Sequence, residues 1–259
     1  MLVAVFTFGV GLLAVAFLWD RIQEFGIVGV TIWLIETAVE SQNIALIDTV
    51  GDYVKEPDST TATTIAEQVY RMSTDKPRLA LVNLRSGDLW VPANLSLYML
   101  LLANRSSVEV VVFIHQIDSG PRTYLGSASV TLLANVLSAR DRALSNAYHA
   151  TEAIPLVNPL VVGPSLGEEF FKKLSPQGPT QEQKNDWVNW DRLRTLADPA
   201  LIFDSVESRG KQTLSKRQQR AILAFPLSYV PIRNRHGHLD EVVDKGQLAE
   251  QIALSALGL

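Results

Sequence analysis

A chain of 259 residues, 47% hydrophobic and 19% charged, has ample apolar material for one large core or for a medium domain with a smaller companion, and is not a disordered chain. Its net charge of -4 gives no general attraction for nucleic acid, and none is expected as a partner. The absence of cysteine excludes disulfides, thiolate metal sites and cysteine nucleophiles; with only four histidines (His115, His149, His236 and His238), no metal and no cofactor is expected.

The chain opens on an uncharged stretch of eighteen residues, Leu2–Trp19, which as a helix spans about 27 Å, enough for the hydrocarbon core of a bilayer. Trp19, just before Asp20 and Arg21, suits the headgroup layer. This predicts a transmembrane anchor whose partner is the lipid bilayer. Two other readings stand beside it. Ala14-Val15-Ala16 has the small-x-small form of a signal-peptidase site, although no Lys or Arg precedes it, and a buried core helix is the third. Arg21, the one basic residue before Lys55, orients a single-pass protein with its body in the cytoplasm. Ile27–Ile35 is too short to span as a helix and reads as a buried or membrane-facing strand; Asn43–Asp48 is another short strand.

Thr64 and Glu67 form a T-x-x-E capping box opening a helix, and Ser73–Pro77 ends it. Leu79–Leu84 reads as a strand. Pro92 fits the first turn of a helix that is apolar nearly all round and therefore buried. The β-branched run Val108–Ile114 marks an interior parallel strand, which completes a strand-helix-strand unit with a right-handed crossover. Thr123–Ser129 is a further short strand, and Thr131–Ala150 a helix. The region 158–167 is loop, and Ser175–Asp186 a polar linker. Beyond it the pattern predicts a helix over Trp187–Leu196, a strand at Leu201–Phe203, a basic helix, a strand at Tyr229–Arg233 and a final helix from about Leu239. The expected fold is thus α/β: an N-terminal transmembrane helix, a mostly parallel, Rossmann-like sheet with flanking helices, and a small C-terminal β-α unit. The divisions fall at 1–19 (anchor), 20–56 (juxtamembrane strands), 57–174 (α/β domain), 175–195 (linker and helix) and 196–259 (C-terminal unit).

In an open parallel sheet ligands bind beyond the carboxyl ends of adjacent strands. Those ends carry Arg85, Ser86, Gly87 and Asp88 after the first strand, and His115, Asp118 and Ser119 after the second. Arg85, Asp88 and His115 suit an anionic or polyhydroxyl ligand. For catalysis the candidates are His115 as a base oriented by Asp88 or Asp118, with Ser119 nearby. The competing account is that Ser86-Gly87-Asp88 and Asp118-Ser119-Gly120 are ordinary turns. His236-Gly237-His238-Leu239-Asp240 has the H-x-H-x-D spacing of metallo-β-lactamase-like hydrolases, but Glu241 stands where a further histidine belongs, and a hairpin turn over Asn234–His238 fits better. The run Arg209–Arg220 holds five basic residues and no acid, which suits a solvated helix face.

Four resemblances add to this. Asp75-Lys76-Pro77 before the first strand, with Ser119-Gly120 after the second, looks like the membrane-bound ClpP-type serine peptidases. The chain departs from them where Ser119-Gly120 runs into Pro121-Arg122 instead of into a helix. The second is the metallo-β-lactamase-like spacing above. The third covers roughly residues 60–155, where GDLWVPANLSLYMLLLANRSSVEVVVFI, TYLGSAS and LSNAYHATEA resemble a group of bacterial membrane-anchored α/β proteins; this implies a fold and no activity. The fourth is at 229–251, where Tyr229, Val230, Pro231, Gly237, Val242 and Val243 resemble the closing half of a CBS motif, a strand, hairpin, strand and helix. Gln247 stands where nucleotide-binding CBS modules carry an Asp, which implies a partner surface over a nucleotide site. The functional expectation is a membrane-tethered, non-catalytic sensor or docking module with a possible protein partner. The alternative is a membrane-anchored hydrolase using the strand-end residues.

Overall fold

A computed structural model describes residues 44–45, 53–54, 65–66, 68–70, 76–85, 90–118, 120–154, 166–174, 187–208 and 213–256. The segment 2–19, the strand expected at Ile27–Ile35, Asp88, Ser119 and the linker 175–186 lie outside them. The fold is mixed α/β. Among the described residues no helix is long and apolar enough to cross a membrane. The chain divides into two compact units, one of Gly51–Ser205 with Arg233–Asp240, the other of the described residues of Met1–Val50, Val206–Ile232 and Glu241–Leu259.

The larger unit is built on a four-stranded sheet in chain order. β2 (Tyr53–Val54), β3 (Leu79–Asn83) and β4 (Val110–His115) run parallel, and β5 (Thr123–Ser129) returns antiparallel to β4. The β-branched run expected from Val108 makes β4 as an interior strand. Registered rows such as Ala80–Val111–Ala128 and Val82–Phe113 fill one core, while Leu81, Val112 and Ile114 are buried on the opposite face. Helix α1 (Pro92–Arg105) begins on the proline and is buried continuously from Leu95 to Leu102, as its all-round apolar surface requires.

The single helix expected over Thr131–Ala150 is two helices, α2 (Val130–Arg140) and α3 (Arg142–Thr151). Asp141 adopts extended backbone and its carboxylate accepts from the amides of Ala143 and Leu144, so it stops one helix and caps the next. A further helix, α4 (Leu166–Leu174), begins within the region read as loop. Helix α5 (Trp190–Leu196) starts on an Asn189 cap. The strand expected at Leu201–Phe203 is instead a 3-10 turn, Pro199–Leu201, capped by Asp198; of that segment only Phe203 pairs, through a bridge to Ser127. Proline at the start of the turn favours this outcome.

The smaller unit pairs β1 (Ile44–Ala45) with β7 (Thr213–Leu214) and forms a three-stranded sheet in the order β6 (Val206–Glu207), β8 (Tyr229–Arg233), β9 (Leu239–Asp244). The basic run yields a shorter helix, α6 (Lys216–Leu223), because Ser215 and Gln218 form a capping box at its start. Leu239 opens a strand, not the final helix; α7 (Lys245–Ala256) follows once Asp244 accepts from the Gly246 and Gln247 amides.

Candidate functional site

The carboxyl ends of β3 and β4 are tied together by Asn83, a polar residue at the end of an otherwise apolar strand and only 6% exposed. Its Nδ2 donates to the Gln116 carbonyl at 2.9 Å, and its Oδ1 accepts from the backbone amides of Gln116 at 2.9 Å and Arg85 at 3.0 Å. The carbonyl of Asn83 accepts from the buried Trp90 indole, which packs on Tyr98. Gln116 in turn donates from Nε2 to the Gly120 carbonyl, closing the β4–β5 loop. A buried carboxamide must satisfy its donors and acceptors, and here it does so by fixing two loops 33 residues apart.

The half-buried His115 is held at 2.7 Å from the Arg85 carbonyl by Nδ1. A carbonyl only accepts, so Nδ1 carries the proton, and in the neutral ring the free lone pair sits on Nε2. Arg85 and Asp118, the residues leading away from the two strands, both have left-handed backbone, at φ 45° and 49°. Arg85 is held there from both sides, its amide by Asn83 and its carbonyl by His115. Among the described residues no hydrogen bond joins His115 to a carboxylate, and Asp118 is exposed.

Two groups of candidates separate in sequence meet here. Thr123 registers with His115 across β4–β5 and bridges His238 on its other side. The tip of the β8–β9 hairpin, assigned with the larger unit, adds to the edge of β5 through Tyr124 N to Gly237 O (2.9 Å) and Leu239 N to Arg122 O (2.7 Å). The turn expected at Asn234–His238 is present. Asn234 Oδ1 accepts from the amides of His236 and His238, its Nδ2 donates to Asp240, and Gly237 takes φ 81°, a conformation that costs glycine little. The rings of His236 and His238 lie 6.1 Å apart, yet no group of three or more metal-ligating side chains forms among the described residues.

Further along β5 a second polar cluster is structural. The Tyr124 hydroxyl donates to the Phe203 carbonyl at 2.8 Å and lies 3.0 Å from Ser127 Oγ; burial holds the phenol well above its ordinary pKa. Beside it Gly126 has no room for a side chain, since an added Cβ would fall 2.5 Å from the Trp190 ring and 2.7 Å from Ile202.

Of the residues that the sequence assigned to this rim, Arg85, His115 and Asp118 lie at the adjoining ends of β3 and β4, while Asp88 and Ser119 fall outside the described residues. It did not point to Asn83, Gln116 and Thr123. Asn83 alone carried a readable signal, a carboxamide in a strand whose other residues are apolar. Comparison of the chain with family models, with curated proteins and with solved structures gives no match.

Proposed function

We propose that the chain is a non-catalytic α/β module, tethered to a membrane by Leu2–Trp19 with its body in the cytoplasm, and that the strand-end rim serves recognition and not turnover. The observation that carries this reading is the use of the rim's polar side chains. The Asn83 carboxamide bonds backbone groups and His115 orients itself on a backbone carbonyl, and among the described residues no carboxylate is hydrogen-bonded to the His115 ring. The parallel β2–β3–β4 core supports a Rossmann-like reading, in which the carboxyl ends face the ligand. The uncharged Leu2–Trp19 supports the tether. The order β8, turn, β9, α7 supports kinship with half a CBS motif as a partner surface, and the β3–α1–β4–β5 succession supports kinship with bacterial membrane-anchored α/β proteins.

Fractionation of cells expressing a C-terminally tagged chain tests the tether. The tagged protein is expected in membranes, resistant to alkaline carbonate, at its full size and shielded from external protease in intact cells. Full-length protein in the soluble fraction would overturn the tether, and a tag cut from outside would reverse the orientation. The hydrolase reading has one observation in its favour, the bond from His115 Nδ1 to the Arg85 carbonyl, which in a neutral ring leaves the lone pair on Nε2. Ester or peptide turnover by the purified chain that disappears in His115→Ala would put it in place of the recognition reading.

A further inference from the structure

We propose that this rim binds a phosphate monoester, with Arg85, His115 and Thr123 at the ends of the sheet and the hairpin tip as its second wall; this rests on the recognition reading above. Charge is the first support. Among the described residues, the ends of β3 and β4, the start of β5 and the hairpin turn carry Arg85, Arg122 and Arg235 with His115, His236 and His238, beside Asp118 and Asp240, the latter bonded to Asn234. The edge is contiguous through hydrogen bonds: the Arg85 carbonyl to the His115 ring, His115 to Thr123 by register, Thr123 to His238 by a bridge, and Arg122 to Leu239 by an amide.

Geometry is the second support. Residues directly opposite in antiparallel pairs present side chains on one face, so His115, Thr123 and His238 form a row about 10 Å from end to end at ordinary strand spacing. The left-handed backbone at Arg85 and Asp118 is strained for residues other than glycine and persists where surroundings impose it, as Asn83 and His115 do at Arg85. Arg85 and His115 are therefore set before any ligand arrives.

Tautomer chemistry narrows the ligand. With Nδ1 bonded to the Arg85 carbonyl, the ring in its neutral form offers an acceptor at Nε2. A ligand matched to the row must present anionic oxygens for arginine and also a hydroxyl for the imidazole. The monoanion of a phosphate monoester has both on one phosphorus, and with a second pKa of about 6 it is a minor but accessible species at pH 7. Sulfate has the charge without the proton.

Calorimetric titration of the full chain in detergent micelles at pH 7, with glycerol 3-phosphate, inorganic phosphate and sulfate at matched ionic strength, tests the proposal. Both phosphates are expected to bind at least tenfold more tightly than sulfate. Arg85→Gln and His115→Phe should each weaken phosphate at least tenfold, while Arg85→Lys retains most of the affinity, and circular dichroism of each variant should match the parent chain. Phosphate no tighter than sulfate, or full affinity in folded Arg85→Gln and His115→Phe, would overturn it. Repeating the titration with chain in nanodiscs containing phosphatidic acid separates a lipid headgroup from a free metabolite, because an occupied rim no longer responds to added glycerol 3-phosphate. Fractionation tests the tether alone, so a soluble chain that binds phosphate removes the tether and leaves the rim, and a membrane chain that ignores phosphate does the reverse.

Discussion

The two compact units are filled differently. The larger one buries Trp90, Tyr98, Phe113 and Phe170 completely, and its central strands are buried on both faces. The buried cluster of the smaller one is aliphatic, made of Leu214, Ile222, Val230, Ile232, Val243, Leu248 and Ile252, with Phe225 only partly covered. Large side chains bury more area for each residue ordered, so the larger unit should have the higher local stability. Buried polar groups are unevenly satisfied in both. The Asn83 carboxamide bonds the Gln116 carbonyl and the Gln116 and Arg85 amides, whereas Gln219 in α6 donates to the Leu214 carbonyl and leaves its Oε1 without a partner among the described residues, as the Ser205 hydroxyl is in the larger unit. A satisfied buried polar atom adds definition and an orphaned one subtracts stability in either unit.

The sharpest way to break this contrast is to remove its aromatic centre. Phe113→Ala should cost the larger unit about 3–5 kcal/mol, read as a fall in the denaturant midpoint, while Ile232→Val in the smaller cluster should cost only about 0.5–1.5 kcal/mol. A loss at Phe113 no larger than that at Ile232 would mean that the aromatic centre contributes no more than a single methylene of the smaller cluster. Asn83→Ala comes next. It leaves the Gln116 and Arg85 amides without their acceptor and should cost about 1–3 kcal/mol, with faster hydrogen exchange confined to the ends of β3 and β4. Unchanged exchange there would show that the two loops hold each other without the carboxamide. The smallest effect is expected from Ser215→Ala, which removes the cap of α6 at about 1 kcal/mol and should speed exchange in that helix while β3 and β4 keep their rates.

Much of the larger unit was legible because its signals are local. The β-branched run around Val110–His115 has few alternatives to a buried strand, and Pro92 before a long apolar stretch marks a helix start. The break at Asp141 escaped because charged residues on both sides keep the helical pattern plausible through it; the aspartate's capping role depends on backbone geometry that periodicity does not encode. The 3-10 turn at Pro199–Leu201 likewise follows from Asp198 and Pro199 and not from the apolar pattern after them. At the rim, strand order was enough to bring Arg85 and His115 together. The arrival of His238 beside Thr123 was not readable, since the bonds that dock the hairpin are between backbone groups, which nearly every residue carries.

That docked hairpin makes the larger unit discontinuous along the chain, and synthesis proceeds in one direction. His238 follows its partner Thr123 by 115 residues, so a ribosome releases β2–β5 long before the segment that covers the edge of β5 exists. During that interval the amide of Tyr124 and the carbonyl of Arg122 present an open strand edge, the kind of surface that chaperones shield and that strays into aggregation. A nascent chain halted before residue 233 is the form of this protein most exposed to that fate.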